Sequence, residues 1–126
     1  MAVVERNGQY LITQRMPQDS FGGFWEFPGG KLHDQETLEA CLIREIREEL
    51  GIVVAVEEKL LVVEHPYPSR MIRLHCFRCA LVEGEPRTLE CSAWRWVVAG
   101  ELTQFEFPPA SRSIIELLQK KKDSMP

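Results

Sequence analysis

Hydrophobic and polar positions alternate in short bursts at the start of the chain. Val3-Val4 and Tyr10-Leu11-Ile12 flank Asn7-Gly8. An Asn-Gly pair between apolar runs marks a two-residue hairpin turn, because both of its central residues need positive φ. Two short antiparallel strands are therefore expected first. From 16 to 24 the pattern lapses into Pro17, Asp19, Ser20, Gly22 and Gly23, a loop. Trp25 to Phe27 is a brief extended run, broken by Pro28-Gly29-Gly30. The spacing then turns helical from Glu36 to Leu50, with Leu42, Ile43, Ile46 and Leu50 on one side, Asp34 as the nearby cap and Gly51 as the stop.

Beyond Gly51, Ile52 to Val56 and Leu60 to Val63 read as two strands, and His65 to Ser69, with Pro66 and Pro68, as a turn. Arg70 to Leu81 and Trp94 to Val98 are further strands, with a turn at Glu83-Gly84-Glu85-Pro86 between them. After Pro108-Pro109 a second helix runs from Ser111 to Lys120, burying Ile114, Ile115, Leu117 and Leu118, with Ser113-x-x-Glu116 as its capping box. The tail Lys120 to Pro126 is charged and expected to fray. Many strands with two separated helices predict an α+β fold. At 126 residues without internal repeats, one domain spanning 1–126 is expected.

Composition narrows the partners. A formal net charge of -4 argues against a general nucleic-acid surface, which is usually basic, yet leaves room for a small nucleotide held by a local pocket or a metal. No apolar run approaches the roughly 20 residues that span a bilayer, so no membrane partner is expected. Cys41, Cys76, Cys79 and Cys91 fit reduced thiols and a cytoplasmic location. Cys76-x-x-Cys79 falls within a strand, where odd spacing puts the thiols on opposite faces and no second ligand pair follows; both read as small core side chains rather than zinc ligands.

The chemistry concentrates in Arg44-Glu45-Ile46-Arg47-Glu48-Glu49-Leu50-Gly51. On a helix, Glu45, Glu48 and Glu49 share an arc of about 100° beside the apolar arc. Carboxylates held so close repel, and a hard divalent cation relieves the repulsion while leaving positions for water and phosphate. A solvated acidic face supported by pairs such as Arg44 with Glu48 is the alternative. The wider spacing decides between them. Gly30, five residues, Glu36, seven residues, Arg44-Glu45-Ile46, one residue, Glu48-Glu49, one residue, Gly51-Ile52 is the Nudix box at all nine specified positions.

The chain thus resembles the Nudix hydrolases. Trp25 to Lys31, Leu11 to Arg15, Arg95-Trp96-Val97 and Phe107-Pro108-Pro109-Ala110 are similar to the MutT-type branch of 8-oxo-dGTP diphosphatases and CTP pyrophosphohydrolases. The resemblance implies the Nudix fold, a mixed β-sheet sandwiched between helices with the box as loop, helix and loop. It implies Mg²⁺, or Mn²⁺, held by Glu45, Glu48, Glu49, Glu90 and the backbone at Gly29 and Gly30. Glu45, Glu48, Glu36 and Arg44 would carry catalysis, with Glu45 the first choice of base, Glu36 and Glu90 the alternatives, and Arg44 orienting a box glutamate. Arg15, Glu26, Phe27, Pro28, Gly29, Lys31, Arg70 and Ser111 would meet the nucleotide, Phe27 by stacking on the base or else as a core ring. Two departures stand out: Ser111 occupies the family's base-reading asparagine position, and Ser69 replaces an aspartate. A short hydroxyl reads less of a base than an amide does. The implied reaction is hydrolysis of a nucleoside triphosphate to monophosphate and pyrophosphate by a monomer or homodimer. A hydrolase of pyrimidine triphosphates or of another nucleoside-diphosphate-linked compound, and a non-catalytic nucleotide-binding module, are the competing readings.

Overall fold

The structure, a computed structural model, describes residues 1–30 and 32–124. Among the described residues, six strands form one sheet: β1 (Ala2–Arg6), β2 (Gln9–Gln14), β3 (Trp25–Glu26), β4 (Val53–Tyr67), β5 (Arg70–Glu83) and β6 (Ala93–Val97). Their order is β3-β2-β1-β5-β4, and β6 pairs with β2 along Tyr10–Gln14. The β1–β5 pair is parallel, with Ala2 opposite Phe77, and the others are antiparallel, so the sheet is mixed. The opening hairpin forms as its sequence predicts, with Asn7 at φ 51° and Gly8 at φ 77°.

Helix α1 (Leu38–Leu50) covers one face, where Leu42, Ile46 and Leu50 join Ala2, Val4, Leu11 and Cys79. Helix α2 (Arg112–Ser124) covers the other, where Ile114 and Leu118 join Val3, Ile12, Phe27 and Cys76. Cys76 and Cys79 therefore face opposite cores, and all four cysteines are buried free thiols. No described helix is long and apolar enough to cross a membrane.

Several boundaries differ from expectation. Helix α1 starts at Leu38, not Glu36. Its cap is Thr37, whose hydroxyl accepts from the Ala40 N–H at 3.1 Å, and Asp34 lies too early in the chain for that role. Gly51 ends α1 at φ 71° and donates to the Arg47 carbonyl. The two strands expected over 52–63 are one long β4 that continues through Pro66. The polar Glu57-Glu58-Lys59 run is absorbed by register shifts between Val56 and Leu61 instead of ending the strand. Pro66 is tolerated because β4 ends the sheet order. A 3-10 turn, Pro109–Ser111, precedes α2, so Ser113 lies inside the helix, exposed, and forms no capping box. Helix α2 also continues to Ser124, past the expected fraying point at Lys120; Met125 and Pro126 are outside the described residues.

Candidate active site

Arg44 organises the acidic side of α1. Its Nε donates to Glu36 Oε2 at 2.6 Å and its Nη2 to Glu36 Oε1 at 3.0 Å, a two-pronged pair that matches the flat guanidinium to the carboxylate. Its Nη1 donates to Glu45 Oε1 at 2.7 Å and to Glu48 Oε2 at 3.2 Å. One cation thus gathers three carboxylates from two segments. Glu36 precedes the helix, and the His33 N–H also donates to its Oε1 at 3.0 Å. The Arg44 and His33 hydrogen bonds hold its carboxyl down at about 2.

Glu49 is different in kind. It is only 8% exposed, against the expectation of three equivalent carboxylates beside the core. Ile43, expected on the packed side, is 39% exposed instead. The buried arc of α1 is Cys41, Leu42, Ile46, Glu49 and Leu50, so the helix is rolled toward Glu49. Burial pushes its carboxyl up to about 8, and the charges of Glu26, Glu45 and Glu90 add to that rise. The buried Thr13 hydroxyl offsets a little of it, although it lacks a hydrogen bond of good geometry. Glu90 is held there by its backbone, since its N–H donates to the Glu49 carbonyl at 3.2 Å. Glu26 pairs with Arg15 at 2.8 Å; burial nonetheless raises its carboxyl.

The glycines before α1 are explained by close approach. A Cβ on Gly30 would run into the Glu45 carboxyl group, and one on Gly29 would stand 2.9 Å from Met1 Cα. Among the described residues, no three acids converge closely enough to form a ready-made cation cage, because Glu45 and Glu48 are turned to Arg44. The donor set still suits a hard divalent cation. It is all oxygen, and the buried Glu49 carboxyl group feels the charges of Glu26, Glu45 and Glu90. The bare backbone of Gly30 makes the room that the Glu45 carboxyl group occupies.

The expected base-binding residues are more scattered. Phe27 is 2% exposed and stacks on Phe107 with ring centroids 5.5 Å apart, so it is a core ring and not an open platform for a base. Pro28 is equally buried, and its carbonyl accepts from the Ala2 N–H at 2.7 Å; only backbone there can reach a ligand. Arg15 is engaged by Glu26 and by the Ser20 carbonyl at 2.6 Å. Arg70 is exposed at the tip of the β4–β5 hairpin. Ser111 is 3% exposed and closes the 3-10 turn. Lys31 lies outside the described residues. A depression of about 620 Å³ is lined by Val3, Tyr10, Leu60, Arg78 and Leu118 on the α2 face, away from these acids.

A NUDIX domain model matches residues 1–117. The chain belongs to the Nudix family. A CTP pyrophosphohydrolase of Escherichia coli (strain K12) is 33% identical over 125 residues, covering 99% of this chain and 93% of that protein. An 8-oxo-dGTP diphosphatase of the same organism is 34% identical over 117 residues, covering 90% and 88%. The solution structure of the E. coli ORF135 protein superposes with a TM-score of 0.83 at 32% identity, covering 99% of this chain and 89% of that one. This Nudix chain is accordingly a hydrolase of phosphoanhydride bonds.

Sequence reasoning missed two groups in the Nudix chain. Thr13 read only as a strand residue, because nothing local shows that its hydroxyl faces Glu49. Tyr67 was absorbed into an expected turn. In fact its hydroxyl accepts from the Ala110 N–H at 3.1 Å, and its ring lies 5.5 Å from that of Phe21. It ties the hairpin tip to the loop after β2 and to the turn that holds Ser111. An aromatic just ahead of Pro68-Ser69-Arg70 was the available signal.

Proposed function

We propose that this Nudix chain hydrolyses a nucleoside triphosphate to monophosphate and pyrophosphate, with Mg²⁺ or Mn²⁺ held by Glu45, Glu48, Glu49 and Glu90 and by backbone carbonyls at Gly29 or Gly30. The burial of the Glu49 carboxyl group, within the influence of Glu26, Glu45 and Glu90, is the observation that carries this reading. The bound cation would supply charge neutralisation on the leaving pyrophosphate and a more acidic attacking water. Arg44 fixes the carboxylates from behind. Glu36, held at about 2 by Arg44 and His33, is a weak proton acceptor at neutral pH and serves as the anchor of Arg44. Glu45, on the Gly30 side of the helix, is the better candidate for the base. The substrate is a small nucleotide, and buried free thiols accord with a cytosolic home. Hydrolysis in ¹⁸O-labelled water is expected to release pyrophosphate in one step, with the label located by mass spectrometry. Sequential release of orthophosphate through a free diphosphate would contradict the proposal.

Base preference is the second part of the reading. Relatives of nearly equal similarity carry the names CTP pyrophosphohydrolase and 8-oxo-dGTP diphosphatase. Ser111 is buried in the turn tied to Tyr67 through its neighbour Ala110, and an asparagine there would offer two donors where the hydroxyl offers one. Ser111→Asn is expected to shift kcat/KM for 8-oxo-dGTP relative to dGTP, dCTP and CTP by roughly tenfold or more, since about 1.4 kcal/mol is one decade. Unchanged ratios in a folded variant, or a parent that already prefers 8-oxo-dGTP by several decades, would remove Ser111 from the specificity argument.

A further inference from the structure

The end of α1 is joined to a segment far away in sequence. The last carbonyls of a helix have no partner within it. Here the Arg87 N–H donates to the Leu50 carbonyl at 2.9 Å, and the Leu89 and Glu90 N–H groups both donate to the Glu49 carbonyl, at 3.1 and 3.2 Å. The arginine side chain lies against the same helix end. A Cβ on Gly51 would meet Arg87 Nη2 at 2.5 Å and Nε at 2.9 Å, so the guanidinium lies directly over the glycine. Gly84, at φ 98°, brings the same loop against the Gly51 carbonyl. Arg47, Glu83 and Val53 complete a cleft of about 320 Å³ around this contact. A cation at a helix C-terminus is favourable in its own right, but here it also sits three residues from Glu90.

We propose that Arg87 is a positioning residue for the acidic site. Its flat guanidinium, seated on the bare backbone of Gly51, clamps the 87–90 strip to the end of α1 and so sets Glu90 beside Glu49. Gly51 then has two functions, ending the helix and making room for the clamp. The inference rests on the reading in which Glu49 and Glu90 hold the divalent cation.

The test measures Mn²⁺ binding to the full chain by electron paramagnetic resonance of the free ion, in the parent, Arg87→Ala, Arg87→Lys, Glu90→Gln and the double variant Arg87→Ala/Glu90→Gln. Arg87→Ala is expected to weaken binding on the order of tenfold, the loss usual when a residue that orients a ligand is removed. Arg87→Lys, which keeps the charge but not the flat face, is expected to bind as weakly. The double variant is expected to bind no more weakly than Glu90→Gln alone, because Arg87 acts through Glu90. Parent-like binding in Arg87→Ala or Arg87→Lys, or losses that add in the double variant, would overturn the clamp while leaving the metal reading intact. Parent-like binding in Glu90→Gln would remove Glu90 from the ligand set, and the clamp's purpose with it. Arg87 is exposed, and metal-free melting curves of all variants establish that each is folded.

Discussion

Glu49→Gln is expected to abolish most turnover while making the metal-free protein more stable. The two effects have one cause. Glu49 is a carboxyl group buried near other acids, an arrangement that the proposed cation would relieve and that is costly without one. With a ligand lost, turnover should fall by at least about a hundredfold in saturating Mg²⁺. The stability effect has a defined pH window. The folded carboxyl stands at about 8 and the unfolded one at 4.5, so between these values the native state keeps a proton that the unfolded state releases. Parent stability therefore falls as pH rises from about 4.5 to about 8 and is level above. Glu49→Gln lacks this slope. In EDTA it should exceed the parent at pH 8.5 by up to about 5 kcal/mol, an order-of-magnitude figure from the rise from 4.5 to about 8, and the gap should close toward pH 4.5. Saturating Mg²⁺ should narrow or reverse it, since ligation stabilises only the parent. Melting curves over pH in EDTA, with kcat measured in parallel, give both readouts. A variant that matches the parent in turnover, or is less stable at pH 8.5, contradicts the assignment.

The second large effect belongs to Arg44. Arg44→Ala removes the partner of Glu36, Glu45 and Glu48 together, leaving three acids without the cation that spaces them. Mn²⁺ affinity is expected to fall by 10–100-fold, on the order seen when groups that orient metal ligands are lost, and metal-free stability should drop as well. Arg44→Lys should rescue little, because an ammonium cannot reproduce the two-pronged contact to Glu36 at 2.6 and 3.0 Å. Glu36→Gln should do less damage than Arg44→Ala, since Glu45 and Glu48 keep their partner. Titration with Mn²⁺ and thermal melting rank the three variants, and an equal loss in Arg44→Lys and Glu36→Gln would mean that Glu36 alone accounts for Arg44.

Local signals were read well where local physics governs. Asn7-Gly8 demands positive φ, Gly51 ends a helix, and the box spacing brings Arg44 within reach of Glu36, Glu45 and Glu48. Signals failed where the deciding partner is distant. Helical periodicity gave the right apolar side of α1 but not its rotation, because the burial of Glu49 and the exposure of Ile43 depend on the sheet beneath. Glu57-Glu58-Lys59 looks like a break until β5 supplies a ladder that tolerates bulges. Phe27 was a fair candidate for stacking until Phe107, from the far end of the chain, took its face. The clamp at Gly51 is written in residues 36 positions apart, which no local pattern connects.

The parallel pairing of β1 with β5 has a consequence for how the molecule is made. Ala2–Glu5 must lie beside Phe77–Ala80, and β1 also carries the hairpin partner β2 on its other side. Of these six strands the earliest in sequence is thus central in the sheet, and its second neighbour follows only after α1 and β4. Closing such a long loop costs chain entropy before any contact repays it. Until then Val3 and Val4, fully buried at the end, stay open to water on that edge. Refolding should accordingly be slow for a chain of this size, and destabilised variants should aggregate through this first strand rather than through the charged outer strand β4.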